Sequence, residues 1–192
     1  MENSAAELAT FVDQVLAATD ATKVNLVGHS EGSMMPRYWL KFLGGASKVD
    51  KYAAIGSIVR GTTLYGLVPF LTSLGLYDPI KSVVDPLCLS CFEVLVNSPF
   101  LQNLNSPNDT VPGVEYHFIS SKDDELVTPY TNGFLLDAAT NPLAHNVVLQ
   151  DLCALDISDH IAQMFDPVAF HSIAAFFDPK EDQTVNCLDA LH

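Results

Sequence analysis

The sequence predicts an α/β fold: a mostly parallel sheet with helices on both faces. Three observations carry this reading. Short apolar runs of strand type recur at Lys23–Val27, Tyr52–Ile58, Glu115–Ser120 and Asn146–Gln150. Segments with helical spacing alternate with them, which is the pattern of a parallel sheet joined by helical crossovers. One of the runs opens directly into Gly28-His29-Ser30-Glu31-Gly32, with a helical pattern starting behind it. That is a strand–turn–helix arrangement around a serine.

The elements follow in order. Ser4-Ala5-Ala6-Glu7 reads as a capping box. Behind it Leu8, Phe11, Val12, Val15 and Leu16 form one apolar stripe of a helix that packs on the sheet. The strand Lys23–Val27 leads to the serine turn, and a helix continues to about Leu43, where Gly44-Gly45 stops it. Pro36 is expected in its second turn, removing one backbone donor. Tyr52–Ile58 is the next buried strand. Residues 60–105 are irregular, with short helical pieces, and read as a cap or lid-like insertion, since long insertions between strands usually cover a site. Phe70, Leu71, Leu74, Leu76 and Tyr77 within it read equally as core or as an acyl-binding wall. Strands at Glu115–Ser120 and Asn146–Gln150 and a final helix at Pro167–Phe177 complete the pattern, and the 192 residues are expected to form one domain.

Composition narrows the function. A net charge of −14 and a sequence pI of about 4.4 argue against nucleic acid and anionic membrane surfaces, which need basic patches. Apolar content of 48% with 17% charged residues fits a globular core. The longest uncharged run, Gly61–Tyr77, is broken by Gly66, Pro69 and Gly75 and is short for a membrane span. Met1-Glu2-Asn3-Ser4 has neither a basic nor an apolar leader region, so no signal peptide is expected in this chain. The four cysteines leave zinc or redox chemistry open at Cys88-Leu89-Ser90-Cys91. The absence of a second close pair, and of a strand directly before the first, favours disulfides Cys88–Cys91 and Cys153–Cys187 instead.

Chemistry centres on Ser30. A hydroxyl is a weak nucleophile and must stand clear of the backbone to meet a base. A strained turn does this, and Gly28 and Gly32 are expected to leave room where a Cβ would clash. The helix behind the turn aims N–H groups at an oxyanion, and the backbone N–H of Glu31 is the expected donor. Sites in such sheets form at the carboxyl ends of strands. Ser30, Asp124 and His160 each follow a strand, and the order Ser…Asp…His is that of α/β-hydrolases. In these roles His160 takes the proton of Ser30, and Asp124 holds the imidazole tautomer. Among the rivals, His29 is expected to point away from Ser30, His117 lies mid-strand, His145 in a loop, His171 on a helix, and His192 is terminal. Spacing alone does not choose between Asp123, Asp124 and Glu125. Glu31, Asp123, Glu125 and Asp159 are all expected near the site, where they would repel a carboxylate product.

These residues resemble lipase class 2, the secreted lipases of fungi and actinobacteria in the α/β-hydrolase superfamily related to Candida antarctica lipase B. The matching stretches are Val27–Tyr38, Asp124–Tyr130, Leu149–Cys153 and Asp159-His160. The family's acid opens an Asp-Glu-x-Val-x-Pro segment, so the resemblance picks Asp124. It implies a lipase or esterase acting on triacylglycerols or other uncharged acyl esters through an acyl-enzyme, without cofactor or metal. It also implies secretion and disulfides, and the sequon Asn108-Asp109-Thr110, with a glycan expected at Asn108, agrees with a secreted parent. Family members carry further strands, and a second oxyanion donor, before the helix that opens this chain. The chain therefore looks like the carboxyl-terminal two thirds of a lipase, lacking the amino-terminal strands and expected to be weak alone. Two alternatives are a catalytically impaired remnant that binds lipid or a partner, and an acyltransferase or thioesterase using the same triad. Labelling by a serine-reactive probe separates the first, and a panel of acyl chains and nucleophiles the second. Acyl preference, interfacial activation and oligomeric state are not legible.

Overall fold

The computed structural model describes residues 1–84, 86, 88, 90–180 and 187. In chain order the elements are α1 (Glu2–Thr19), β1 (Val24–His29), α2 (Met35–Phe42), β2 (Val49–Ile55), α3 (Leu67–Ser73), α4 (Tyr77–Val84), α5 (Pro99–Leu104), β3 (Glu115–Ser120), β4 (Ala144–Val148), α6 (Leu149–Leu152) and α7 (Pro167–Phe177). The four strands pair in the order β1-β2-β3-β4, all parallel. Every strand therefore ends on the same edge of the sheet, which is where ligand sites form in open α/β sheets.

Alternation along β2 assigns the two faces. Tyr52 and Ala54 point to one side, with Tyr116 and Phe118 of β3. There they pack against Ala5 and Val12 of α1 and Trp39 and Leu40 of α2. Ala53, Ile55 and Ile119 point to the other, against Val168, Ala169 and Ile173 of α7. Helices thus lie on both faces of β2 and β3, as a parallel sheet requires, while Val27 of β1, beside Ala53, stays 57% exposed. A third cluster joins Leu101 and Leu104 of α5 to Met34, Ile58 and Val127. Arg37, fully buried on α2, supports it. Its guanidinium donates to Asn105 Oδ1 at 2.6 Å and to the Asp109 carbonyl at 3.1 Å, and Arg60 reaches the Asp109 carboxylate. No helix among the described residues is long and apolar enough to cross a membrane.

Several expectations shift. α1 begins at Glu2, so Ser4 lies inside it and caps nothing; the chain's amino group is instead tied to Glu93 at 2.9 Å. Phe11 is 61% exposed, and the packed stripe runs Ala5, Leu8, Val12 and Leu16. Pro36 lies in the first turn of α2. No intrahelical acceptor exists there for its missing N–H, so nothing is lost. β2 starts at Val49 and stops at Ile55 because Gly56 turns with φ 56°. β4 starts at Ala144, which puts His145 on a strand, and Leu149-Gln150 belong to α6. Phe70, Leu74 and Leu76 are exposed, which excludes the core reading for them. Both disulfides are formed, with Cα separations of 5.4 Å for Cys88–Cys91 and 5.3 Å for Cys153–Cys187. His192 lies outside the described residues.

A half-buried histidine and a buried aspartate set opposite pH dependences of stability. His117 on β3 bonds Ser172 Oγ at 2.8 Å and stacks on Phe176. Burial, with a smaller push from neighbouring His145, lowers its pKa to about 4. Its native-state advantage is present above the unfolded value near 6.5 and lost as pH falls through about 4. Asp166, the side-chain cap of α7, is raised to about 6, first by burial and then by Asp156 beside it. Its contribution is present below the unfolded carboxylate value and lost as pH rises through about 6. Between pH 4 and 6 the two oppose each other. His117→Gln is expected to change stability relative to wild type by on the order of 2 kcal/mol across this window, leaving a protein that gains stability on acidification. Asp166→Asn should steepen the loss on acidification. Urea unfolding at pH 4, 5 and 6 reads both slopes.

Candidate active site

The site is assembled from the carboxyl ends of β1, β3 and β4. β1 runs into a short 3₁₀ segment, Ser30–Ser33, and Ser30 sits at the junction with φ 55°. This left-handed conformation is costly for a residue with a side chain and is the mark of a strained strand-to-helix turn. A Cβ on Gly28 would lie 2.0 Å from the Gly32 carbonyl oxygen, so the turn needs glycine there. Gly32 differs from expectation. Nothing lies within 4 Å of a Cβ built on it; what matters is its carbonyl, which closes on Gly28 and accepts from the Tyr52 hydroxyl.

The structure brings Ser30, His160 and Asp124 together. His160 Nε2 is 2.8 Å from Ser30 Oγ, and Nδ1 is 2.8 Å from Asp124 Oδ2. A carboxylate accepts, so Nδ1 carries the proton and Nε2 presents its lone pair to the serine hydroxyl. Asp124 and His160 are 5% and 2% exposed. Asp124 Oδ1 accepts from the N–H groups of Leu126 and Val127 at 2.9 and 2.7 Å, and Oδ2 accepts from Gln163 at 3.0 Å. Burial alone would raise its pKa. The His160 hydrogen bond, the Val127 N–H, the imidazole charge and the Gln163 amide together outweigh burial and hold it below the ordinary carboxylate value.

Contacts between loops set this geometry. Gln150 on α6 donates to Ser121 Oγ and to the Asp156 carbonyl, and accepts from Lys122 N–H, so it ties the loop after β3 to the loop carrying His160. Glu125 accepts from the backbone N–H of His160 at 2.9 Å. His29 does not contact Ser30 through a hydrogen bond. Its Nε2–H donates to the His160 carbonyl at 2.8 Å, and the two rings lie 4.7 Å apart. Burial lowers its pKa, which favours the neutral ring that this position needs beside a second imidazole. A Cβ on Gly56 would lie 3.1–3.2 Å from both rings, so the bend after β2 gives them room. Gln163, His29 and Glu125 were not singled out as contacts of the His160–Asp124 pair. For Gln163 and Glu125 the only signal is a place within three residues of His160 or beside Asp124; for His29 it is a place inside the serine turn, directly before Ser30.

A cavity of about 280 Å³ opens on Ser30 and His160. Its walls include Ile58, Leu64, Val94 and Leu126, with the Cys88–Cys91 bridge and Glu31 at its side. Of the four acidic groups expected around the site, only Glu31 lines this cavity, facing Ser90 Oγ at 3.4 Å. Asp159 instead caps the N–H groups of Ile161 and Ala162, Glu125 holds His160, and Asp123 faces Gln150.

A parallel sheet, a strained serine turn at the end of one strand, and a histidine and an acid on loops after two others define the α/β-hydrolase class. The Lipase (class 2) family profile matches residues 3–164. The chain belongs to that family. A triacylglycerol lipase of Pseudarthrobacter phenanthrenivorans is 62% identical over 94 residues, covering 48% of this chain and 28% of its own. One of Burkholderia plantarii is 62% identical over 94 residues, covering 48% and 25%. The chain thus spans about a quarter of the length of these curated relatives. The crystal structure of Aspergillus fumigatus lipase B superposes with a TM-score of 0.67 over 87% of this chain and 39% of that one, at 18% identity, and shows the same fold.

Proposed function

We propose that this chain carries the machinery of a serine carboxylic-ester hydrolase acting on uncharged acyl esters, triacylglycerols among them. The observation that supports this most is the single imidazole bonded at 2.8 Å to Ser30 on one side and to Asp124 on the other. Ser30 Oγ attacks the acyl carbon as its proton passes to His160 Nε2. The tetrahedral oxyanion faces the N–H of Glu31. Collapse expels the alcohol, which takes the proton from His160, and leaves an acyl-serine. Water, deprotonated by His160, then attacks the acyl carbon; collapse breaks the bond to Ser30 Oγ, which takes the proton back from His160, and the acid is released. Asp124 keeps the productive tautomer and stabilises the imidazolium throughout.

Substrate class follows from the cavity and the relatives. Its walls are mainly apolar, and among the described residues the one carboxylate on them is that of Glu31, so neutral esters fit better than anionic ones. Residues 60–105 act as its cap. They supply Leu64, the disulfide and Val94 to its wall and carry the exposed Leu67, Phe70 and Leu74 outside it. Two disulfides and the exposed Asn108 sequon support a secreted, glycosylated parent. Hydrolysis of short neutral nitrophenyl esters tests the activity. Turnover should fall in proportion to the fraction of chain labelled by a fluorophosphonate. Turnover that survives full labelling would refute the reading.

A further inference from the structure

We propose that Gln163 is a positioning residue for the His160–Asp124 pair: its amide donates to the same carboxylate oxygen that accepts from His160, and so sets how strongly Asp124 pulls on the imidazole. This rests on the triad reading above.

Three observations carry the proposal. Gln163 is fully buried, and Nε2 lies 3.0 Å from Asp124 Oδ2. The other oxygen of Asp124 is already engaged by two backbone N–H groups, so the amide and the imidazole share the remaining one. The amide's orientation is also fixed. Gln163 Oε1 is buried without a hydrogen-bond partner. Turning the amide over would set that acceptor against a carboxylate and leave two N–H groups without an acceptor, which is worse. The short 3₁₀ turn Ala162–Met164 brings Gln163 back under His160, and its backbone N–H closes on the Asp159 carbonyl at 3.2 Å.

The physical consequence has a definite sign. An oxygen that accepts two donors pulls less on each. Without the amide, Oδ2 pulls harder on Nδ1–H and favours the protonated imidazole, and the carboxylate gains freedom to rotate. The other ionisable groups facing the pair are His29 from β1, Glu125 beside Asp124, and Asp159 before His160. None of them donates to the Asp124 carboxylate among the described residues. His29 and Glu125 bond the backbone of His160, and Asp159 caps the turn after it.

The test is kcat/KM against pH for the full chain, with rates divided by the amount of Ser30 that a fluorophosphonate titrates, so that unfolded chain does not count. In Gln163→Met, which keeps the volume and removes the donor, the acid limb should move up by about half a pH unit or more, and the plateau should fall about tenfold. Gln163→Glu is the second variant. Its protonated carboxyl can donate as the amide does and its ionised form cannot, so the profile should gain a descending limb where that carboxyl ionises. A purely structural role would lower the titratable sites and leave both limbs in place. An unmoved acid limb in Gln163→Met, or no added limb in Gln163→Glu, overturns the proposal. Failure of the wild-type chain to label at Ser30 would instead overturn the triad reading beneath it.

Discussion

Ser30→Ala is expected to remove ester turnover and all fluorophosphonate labelling. The reasoning is chemical before it is structural. No described serine other than Ser30 has the left-handed backbone of this turn, and Ser30 Oγ lies 2.8 Å from an imidazole nitrogen whose partner nitrogen is held by a carboxylate. Ser33, three residues on, is fully buried, and its hydroxyl accepts from Ile58 N–H at 2.7 Å, so it has no path to a substrate. Triad members act as a unit, so the loss in kcat should be on the order of 10⁶, with His160→Ala costing about as much. The fold should survive, because alanine keeps the backbone and the side chain lost is only a hydroxyl. Circular dichroism and the unfolding midpoint check that. Residual labelling in Ser30→Ala would locate the nucleophile elsewhere.

Asp124→Asn carries the next largest effect, with Asp123→Asn as its control. An amide at 124 can still occupy the site, but it can present an N–H to His160. The ring then turns to the tautomer with its proton on Nε2, where it cannot accept from Ser30. The expected loss is about 10⁴ in kcat. Asp123 is exposed, and among the described residues its carboxylate bonds only Gln150, at 3.3 Å, so its amide should stay within a few fold. Because the two residues are adjacent, the pair of variants separates the buried acid from general acidity in the loop. Comparable losses in both would mean the wrong carboxylate has been assigned.

How much of this was legible in the sequence differs by element, for physical reasons. β3 and α7 have the bounds that their patterns suggested, because β3 runs straight into its loop and Asp166-Pro167 and Asp178-Pro179 punctuate α7. The sequence places β2 too far along the chain because its apolar run continues past Gly56 into a buried loop, where Ile58 packs with Leu101 and Val127 and Val59 joins the core around Trp39 and Tyr52. Its first turn of strand, Val49-Asp50-Lys51, is half polar and gave no signal. β4 was misplaced in the same way: Ala144-His145 look like loop, and Leu149 looks like strand. A hydrophobic run reports burial, and only the backbone turn decides what the buried segment is. The serine turn was legible because its chemistry is local. The choice of Asp124 came from resemblance rather than spacing. Gln163, Gln150 and His29 were silent, since their meaning comes from loops that meet only once the strands are side by side. A buried arginine such as Arg37 was likewise hidden in an amphipathic helix, where charge ordinarily marks the solvent face.

The most direct test of the central claim is to trap the acyl-enzyme. The chain would be mixed with a short neutral nitrophenyl ester, quenched in acid during turnover, and digested with trypsin. The peptide Val24–Arg37 should gain the mass of the acyl group, fragmentation should place it on Ser30, and Ser30→Ala should show none. Ester hydrolysis with the acyl group absent from Ser30, or attached to another residue, would contradict the claim.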